Sequence, residues 1–263
     1  MPPALYRALA CLCLFAPAAA AQTFSAQVAP PRFEDQAAQG TTFRNVIEIT
    51  NVSTKSARFT MKTADWVLGP DGTAVFSDAL APGSCRPWVG IEAPEIQVDP
   101  NGKRRYRFEV AVPADAPDGE CRFAIMIEGE PVRAQGDLGL PVSGRIGIIV
   151  YLAIGKGAAV LSVADTAVQA EQGRDLPVIR VHNSGDAHGR IEGFIEGIDA
   201  LGKRLTFSPS NSPILPGTTR DIPLYPIPED ETATPLALAF PITMRGRLDW
   251  GSQRLDLDAR FSK

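Results

Sequence analysis

The segment from residue 138 to residue 154 alternates between bulky apolar residues and other residues along its whole length. Its even positions are apolar except for Gly144; they are Leu138, Leu140, Val142, Ile146, Ile148, Val150, Leu152 and Ile154. Strict alternation predicts a β-strand with one buried face. The segment is roughly three times as long as an ordinary strand of ~5–6 residues. We therefore expect part of its apolar row to remain available to a strand of another chain.

The first residues have the pattern of a secretory signal peptide. Arg7 precedes an apolar run that ends in a series of alanines before Gln22, and such a run with a small-residue cleavage site directs export. We place the cleavage after Ala21, so residues 1–21 form the signal peptide and the mature chain is expected in the periplasm. No later segment approaches the ~18 apolar residues of a membrane span, so no membrane insertion is expected.

Charge and cysteine content narrow the function further. The formal net charge of -4 argues against a nucleic-acid partner, which normally requires a basic surface. Two cysteines follow the predicted cleavage site, Cys85 and Cys121. In an oxidising compartment such a pair is expected to form a disulfide, the alternative being two free thiols.

Short alternating segments separated by turn residues continue through the rest of the chain. They predict an all-β protein of two immunoglobulin-like β-sandwich domains in series, 22–154 and 155–263, with the long strand closing the first. The predicted strands of the first domain include 43–51, 57–66, 96–98, 105–112 and 120–128. Those of the second are 176–182, 190–198, 204–207, 220–224, 242–250 and 254–261.

Catalytic and metal-binding patterns are absent from the sequence. It contains no nucleophile elbow, no zinc-protease motif and no phosphate-binding glycine loop. His182 and His188 lie beside Asp186, but their spacing matches no recognised zinc site, and we interpret both as polar residues flanking a turn. We therefore expect neither an enzyme nor a cofactor or metal.

Two arginines lie on strands that are expected to be neighbours. Arg32 follows two prolines on the predicted first strand, and Arg145 lies within the long strand. In a sandwich the first and last strands can pair, so both side chains could reach the cleft between the domains. A pair of arginines can hold a carboxylate bidentately. The alternative is that both are solvent-exposed charges that limit edge aggregation.

Several short motifs, taken in order, resemble one known family. They are Asn51 with Ser53, Ala64-Asp65-Trp66, Ser84-Cys85-Arg86-Pro87-Trp88, Val112-Pro113-Ala114-Asp115, Asn183-Ser184-Gly185 and Leu215-Pro216-Gly217. Together with the signal peptide and the two sandwich domains, they resemble a divergent branch of the periplasmic chaperones of chaperone–usher pilus assembly, the PapD-like proteins. The resemblance covers essentially the whole mature chain.

The resemblance implies a mechanism and partners. A PapD-like chaperone lends its long strand to a pilin subunit that lacks its own last strand, before assembly at an outer-membrane usher. The implied groove-filling row is Leu138, Leu140, Val142, Ile146 and Ile148. Arg32 and Arg145 would anchor the subunit's terminal carboxylate. The alternative function is a non-catalytic periplasmic or surface adhesion or structural module.

Overall fold

The computed structural model describes residues 25–69, 71–133, 141–171, 173–228 and 237–263. The predicted signal peptide, Leu138 and Leu140 lie outside these ranges, as does the side chain of Val142. Almost all regular structure in the described ranges is β-strand; the exception is one short 3₁₀ helix, Arg86–Trp88. The predicted all-β class is therefore confirmed.

The first domain consists of two facing sheets. One sheet has the strand order β1 (Ala26–Ala29), β3 (Thr42–Asn51), β8 (Lys103–Ala111) and β6 (Val89–Ile91). The other has the order β2 (Arg32–Ala37), β12 (Arg145–Ile154), β9 (Gly119–Gly129), β4 (Ala57–Leu68) and β5 (Ala74–Ser77), and β7 (Glu95–Val98) also pairs with β4. Two short strands, β10 (Val132–Arg133) and β11 (Pro141–Val142), pair with each other.

The core of the first domain follows from the alternation in its strands. In β8 the side chains of Tyr106, Phe108 and Val110 are buried while their neighbours are exposed. The even-numbered residues of β12 face the same core, and Ile148 and Val150 are completely buried. Because successive side chains of a strand point to opposite faces, this leaves the odd-numbered residues of β12 on the outer face of the sheet.

The second domain is one continuous antiparallel sheet of seven strands that encloses a separate core. Its order is β13 (Leu161–Glu171), β14 (Arg174–Asn183), β17 (Thr219–Pro226), β16 (Arg204–Pro209), β15 (Ile195–Ile198), β18 (Ile242–Trp250) and β19 (Gln253–Phe261). The end strands β13 and β19 also lie close together. Residues 155–160 connect the two domains.

Two strand predictions need correction, and one strand of the second domain was missed. The long strand is not continuous, because the chain leaves the ladder at Ser143 and Gly144, between β11 and β12. The predicted strand 190–198 is shortened to β15, since Gly193 has a φ of 100°, which is outside the extended region. β13 was not predicted, because as an end strand of the sheet it buries its residues without a regular alternation.

The predicted disulfide is present between Cys85 and Cys121. Cys85 immediately precedes the 3₁₀ helix, and Cys121 lies on β9 with its side chain in the same core. The bond therefore fastens the long connection between β5 and β6 to a central strand.

Replacing both cysteines by alanine should lower the free energy of unfolding. The bond spans 36 residues, and closing a loop of that length stabilises a fold by about 3–4 kcal/mol on the chain-entropy model. Urea unfolding of the oxidised wild type and of the Cys85→Ala/Cys121→Ala variant measures the difference. A reductant should destabilise the wild type and leave the variant unchanged; equal midpoints for the two oxidised proteins would contradict the expectation.

Candidate functional site

In the second sheet of the first domain, the side chains that point away from the core lie on the outer face. On β12 the outward positions include Ile149 and Tyr151, and on β2 they include Arg32 and Glu34. The two strands pair in parallel, with Arg32 opposite Ile149 and Glu34 opposite Tyr151. This register places the charged residues Arg32 and Glu34 as a row beside β12, the strand that leads into the second domain.

β12 has a strand neighbour on both sides along only part of its length. Its pairing with β9 runs from Arg145 to Ile154, whereas its pairing with β2 begins at Ile149. Within the described ranges, no strand pairs with β12 on the β2 side between Arg145 and Ile148. In that part of the chain, the N–H and C=O groups that point to this side have no strand partner, as in the edge of a sheet.

The side chains along this free edge differ from the predicted donor row. Ile146 is partly buried and packs against the core of the first domain. Ile148 is completely buried in that core, so it cannot also fill a groove in another protein while its own domain is folded. Ile148 is therefore removed from the donor row, and the roles of Leu138, Leu140 and Val142 stay predictions.

The two predicted arginine anchors lie on the same outer face, but at different levels along β12. Arg145 is exposed at the first residue of β12, whereas Arg32 lies opposite Ile149. Four residues of extended strand separate these levels by about 13 Å. The Nε of Arg32 donates a hydrogen bond of 2.6 Å to Oε1 of Glu34. A joint carboxylate site for Arg32 and Arg145 stays a prediction.

A third arginine, which the sequence analysis did not identify, reaches this row from the second domain. The Nε of Arg190 donates a hydrogen bond of 2.8 Å to the same Oε1 of Glu34. The guanidinium of Arg190 also lies 5.6 Å from the ring centre of Tyr151. Glu34 therefore links the start of β2 to the second domain through an ion pair.

A second carboxylate, Glu120 on β9, makes a further polar connection between the domains. Its side chain is only 2 % exposed. The backbone N–H of His188 donates a hydrogen bond of 2.9 Å to its Oε2, and the ring Nδ1 of His188 contacts the same oxygen. On the other side, Nη1 of Arg122 donates to Oε1 of Glu120 over 3.1 Å. This buried carboxylate is thus held from both domains.

Aromatic rings fill the space between these polar contacts. The ring of His188 stacks on Tyr151 with a centroid separation of 3.7 Å and an interplanar angle of 27°. Trp66 of β4 meets Tyr151 edge-on at 5.6 Å, and Leu215 of the second domain belongs to the same apolar cluster. Stacking and apolar burial thus accompany the ion pairs at the domain contact.

The surroundings shift the pKa values of three groups. His188, Arg190 and Arg32 surround the Glu34 carboxylate and lower its pKa to about 2. Burial alone would lower the pKa of His188, but the carboxylates of Glu120 and Glu34 overcome that effect and raise it. Burial raises the pKa of Tyr151 to about 12, so this ring stays neutral beside the charges.

The contact borders two clefts of different charge. One, of about 820 Å³, is lined by Glu34, Asp35, Glu120, Glu192 and Arg190 among others. The other, of about 870 Å³, is lined by Arg122, Arg180, Arg220 and Asp221 among others. In the described part of the chain, no group of three or more His, Cys, Asp or Glu side chains is arranged to hold a metal ion. Nor does any helix there have the length and hydropathy of a membrane span.

No protein-family model and no curated protein matches the chain. Solved structures with similar folds include the YadV chaperone, at 11 % identity and a TM-score of 0.48, covering 90 % of this chain and 100 % of that one. The class 5 fimbriae chaperone CfaA has 11 % identity and a TM-score of 0.48, with coverage of 89 % and 98 %. A complex of the Salmonella enterica SafA pilin with the SafB chaperone has 15 % identity and a TM-score of 0.45, with coverage of 90 % and 98 %.

A close contact on the outer face should make Gly147 sensitive to substitution. A Cβ at Gly147 would lie 2.4 Å from Cζ of Phe76, which is nearer than carbon atoms can approach. Gly147→Ala should therefore lower the free energy of unfolding by about 1–3 kcal/mol, as for other overpacked sites. In a Phe76→Ala background the same change should cost less, because the obstructing ring is gone. Denaturant unfolding of the four proteins gives the coupling energy, and equal costs in both backgrounds would contradict this explanation.

Proposed function

We propose that this protein is a non-catalytic periplasmic chaperone that binds pilin-like subunits by strand donation, before an outer-membrane usher assembles them. The observation that carries the proposal is the free edge of β12 between Arg145 and Ile148, directly in line with β2. A strand of the subunit added there would extend the second sheet of the first domain. Strand addition of this kind uses main-chain hydrogen bonds for affinity and alternate side chains for specificity.

The position of β2 determines where an added strand must end. Both strands would be neighbours of β12 on the same side, and β2 begins at Arg32. A subunit strand that runs parallel to β12, as β2 does, would therefore direct its C-terminal end toward Arg32. A terminal carboxylate at that point would receive charge-assisted hydrogen bonds from the guanidinium.

Arg32 keeps donors available for such a ligand. Its Nε is used by Glu34, while its side chain is 43 % exposed. A guanidinium has five N–H donors, and the described hydrogen bonds of Arg32 use only Nε. Glu34 thereby orients Arg32 and leaves the terminal nitrogens for a carboxylate. Arg145, at the far end of the free edge, would provide a second positive charge for the bound subunit.

Apolar side chains would supply the remaining affinity. Ile146 lies on the free edge, and the alternation of the sequence extends this row to Leu138, Leu140 and Val142. Each apolar side chain that becomes fully buried contributes about 1.5–3 kcal/mol. Several such contacts, with the ladder hydrogen bonds, would offset the entropy lost when the segment becomes ordered.

Charges introduced into the row should abolish subunit capture. Wild-type protein co-expressed with a pilin-like subunit lacking its last strand should give a soluble 1:1 complex on size-exclusion chromatography. Ile146→Asp and Leu140→Asp should lose that complex, because a carboxylate cannot enter an apolar groove without a large desolvation cost. Val75→Asp is the matched control, since Val75 is an exposed apolar residue on the edge strand β5.

Thermal unfolding of the free variants separates loss of binding from loss of folding. Leu140→Asp should leave the unfolding temperature close to that of the wild type while capture is lost. Normal capture by a folded Leu140→Asp or Ile146→Asp variant would refute strand donation by this row.

Removing the guanidinium at the end of the free edge should weaken capture. Arg32→Ala should reduce subunit affinity by roughly tenfold or more, the effect of a lost hydrogen bond between charged groups. Arg58→Ala is the control, because Arg58 is an exposed arginine of β4 with a distant partner, Glu130, at 3.7 Å. A subunit with an amidated C-terminus should bind wild type and Arg32→Ala equally. Unchanged affinity of Arg32→Ala for the free carboxylate would exclude Arg32 as the anchor.

A further inference from the structure

Both ring nitrogens of His188 face carboxylates of the first domain. Nδ1 contacts Oε2 of Glu120, and Nε2 lies 3.7 Å from Oε1 of Glu34. The side chain of His188 is only 10 % exposed, so its ring is largely shielded from water. His188 therefore occupies a position between two negative groups that belong to a different domain.

Only the protonated ring matches both neighbours. A neutral imidazole carries one N–H, so one of its nitrogens would present a lone pair to a carboxylate oxygen. An imidazolium has an N–H on each nitrogen and a positive charge that both carboxylates attract. The stacked ring of Tyr151 adds to this preference, because an aromatic face attracts a cation.

We propose that His188 is a pH-sensitive clamp that holds the two domains in one relative orientation when it is protonated. In this state the imidazolium joins Glu120 on β9 to Glu34 on β2, and it covers Tyr151 on β12. Loss of the proton would leave a lone pair opposite one carboxylate and remove the one positive charge that contacts both carboxylates at once. The contact between the domains would then weaken, and their relative orientation would vary more.

Two arginines near His188 contribute positive charges to the domain contact that do not change with pH. Arg190 lies two residues after His188 and binds Glu34. Arg122 on β9 binds Oε1 of Glu120, the oxygen that His188 does not contact. Both guanidinium groups stay charged throughout the accessible pH range. Asp35 and Glu192, which line the adjoining cleft, add further negative charge that favours the protonated ring.

The direction of the pH effect follows from the raised pKa of His188. A group with a higher pKa in the folded state contributes its full stabilisation below its unfolded pKa, near 6.5. That stabilisation is lost as the pH rises through the folded pKa. The domain contact should therefore be tightest under mildly acidic conditions and should loosen under mildly alkaline ones.

The chain contains only two histidines, which makes a direct test practical. Imidazole NMR signals of the purified mature protein are followed from about pH 5 to about pH 9, and small-angle X-ray scattering is recorded in the same buffers. The signal of His188, identified by its absence in His188→Gln, should titrate with a midpoint above 6.5, the ordinary value for histidine. The scattering profile should change through the same midpoint.

Two variants and one control decide the outcome. His188→Gln should show the high-pH scattering profile at every pH, whereas the control His182→Gln should keep the transition, because His182 bonds to Thr219 within the second domain. Glu34→Gln retains both histidines and should shift the His188 midpoint downward. A His188 midpoint at or below 6.5, a scattering profile independent of pH, or a wild-type profile for His188→Gln at low pH would each overturn the clamp. No subunit is needed, so the result is independent of strand donation.

Discussion

The structure depends on the two-sided use of β12. Its even-numbered residues complete the core of the first domain, and its odd-numbered residues carry the contact with the second domain. A shift of the strand by one residue would move Ile148 and Val150 to the outer face of the sheet and turn Tyr151 into the core. β2 begins opposite Ile149, so in the described part of the chain the β12 edge before Ile149 has no strand partner on that side.

The parts of the fold that depend on local alternation were predictable from the sequence. β8 and β18 lie close to the expected segments, because each buries one face against a single core. β9 also lies close to its expected segment, because one face alternates regularly into the core of the first domain, although the other face is buried as well. The interruption at Gly144 was not recognised, since one glycine in an apolar row does not reveal whether the backbone stays in the ladder. The length of a strand depends on which other strands pair with it, and the sequence of one segment does not reveal those partners.

Two of the short motifs acquire a common explanation in the fold. Asp65 accepts hydrogen bonds from the Ser84 hydroxyl at 2.7 Å and from the backbone N–H of Ala81 at 2.8 Å, and it pairs with Arg86 at 3.2 Å. Although burial would raise the pKa of Asp65, these donors lower it. The residue types were visible in the sequence, but their convergence across the connection between β5 and β6 was not.

The domain contact was beyond prediction for a related reason. Glu34 and Arg190 are 156 residues apart, and nothing in the alternation around either residue marks it as different from a solvated charge. Their meeting depends on the packing of one finished domain on another.

In the folded protein, one oxygen of Glu34 accepts from both Arg32 and Arg190. A carboxylate that binds the terminal nitrogens of Arg32 would share that guanidinium with Glu34 and alter the field that Glu34, Arg190 and His188 experience. The end of the free edge and the contact between the domains are therefore electrostatically coupled through a single side chain.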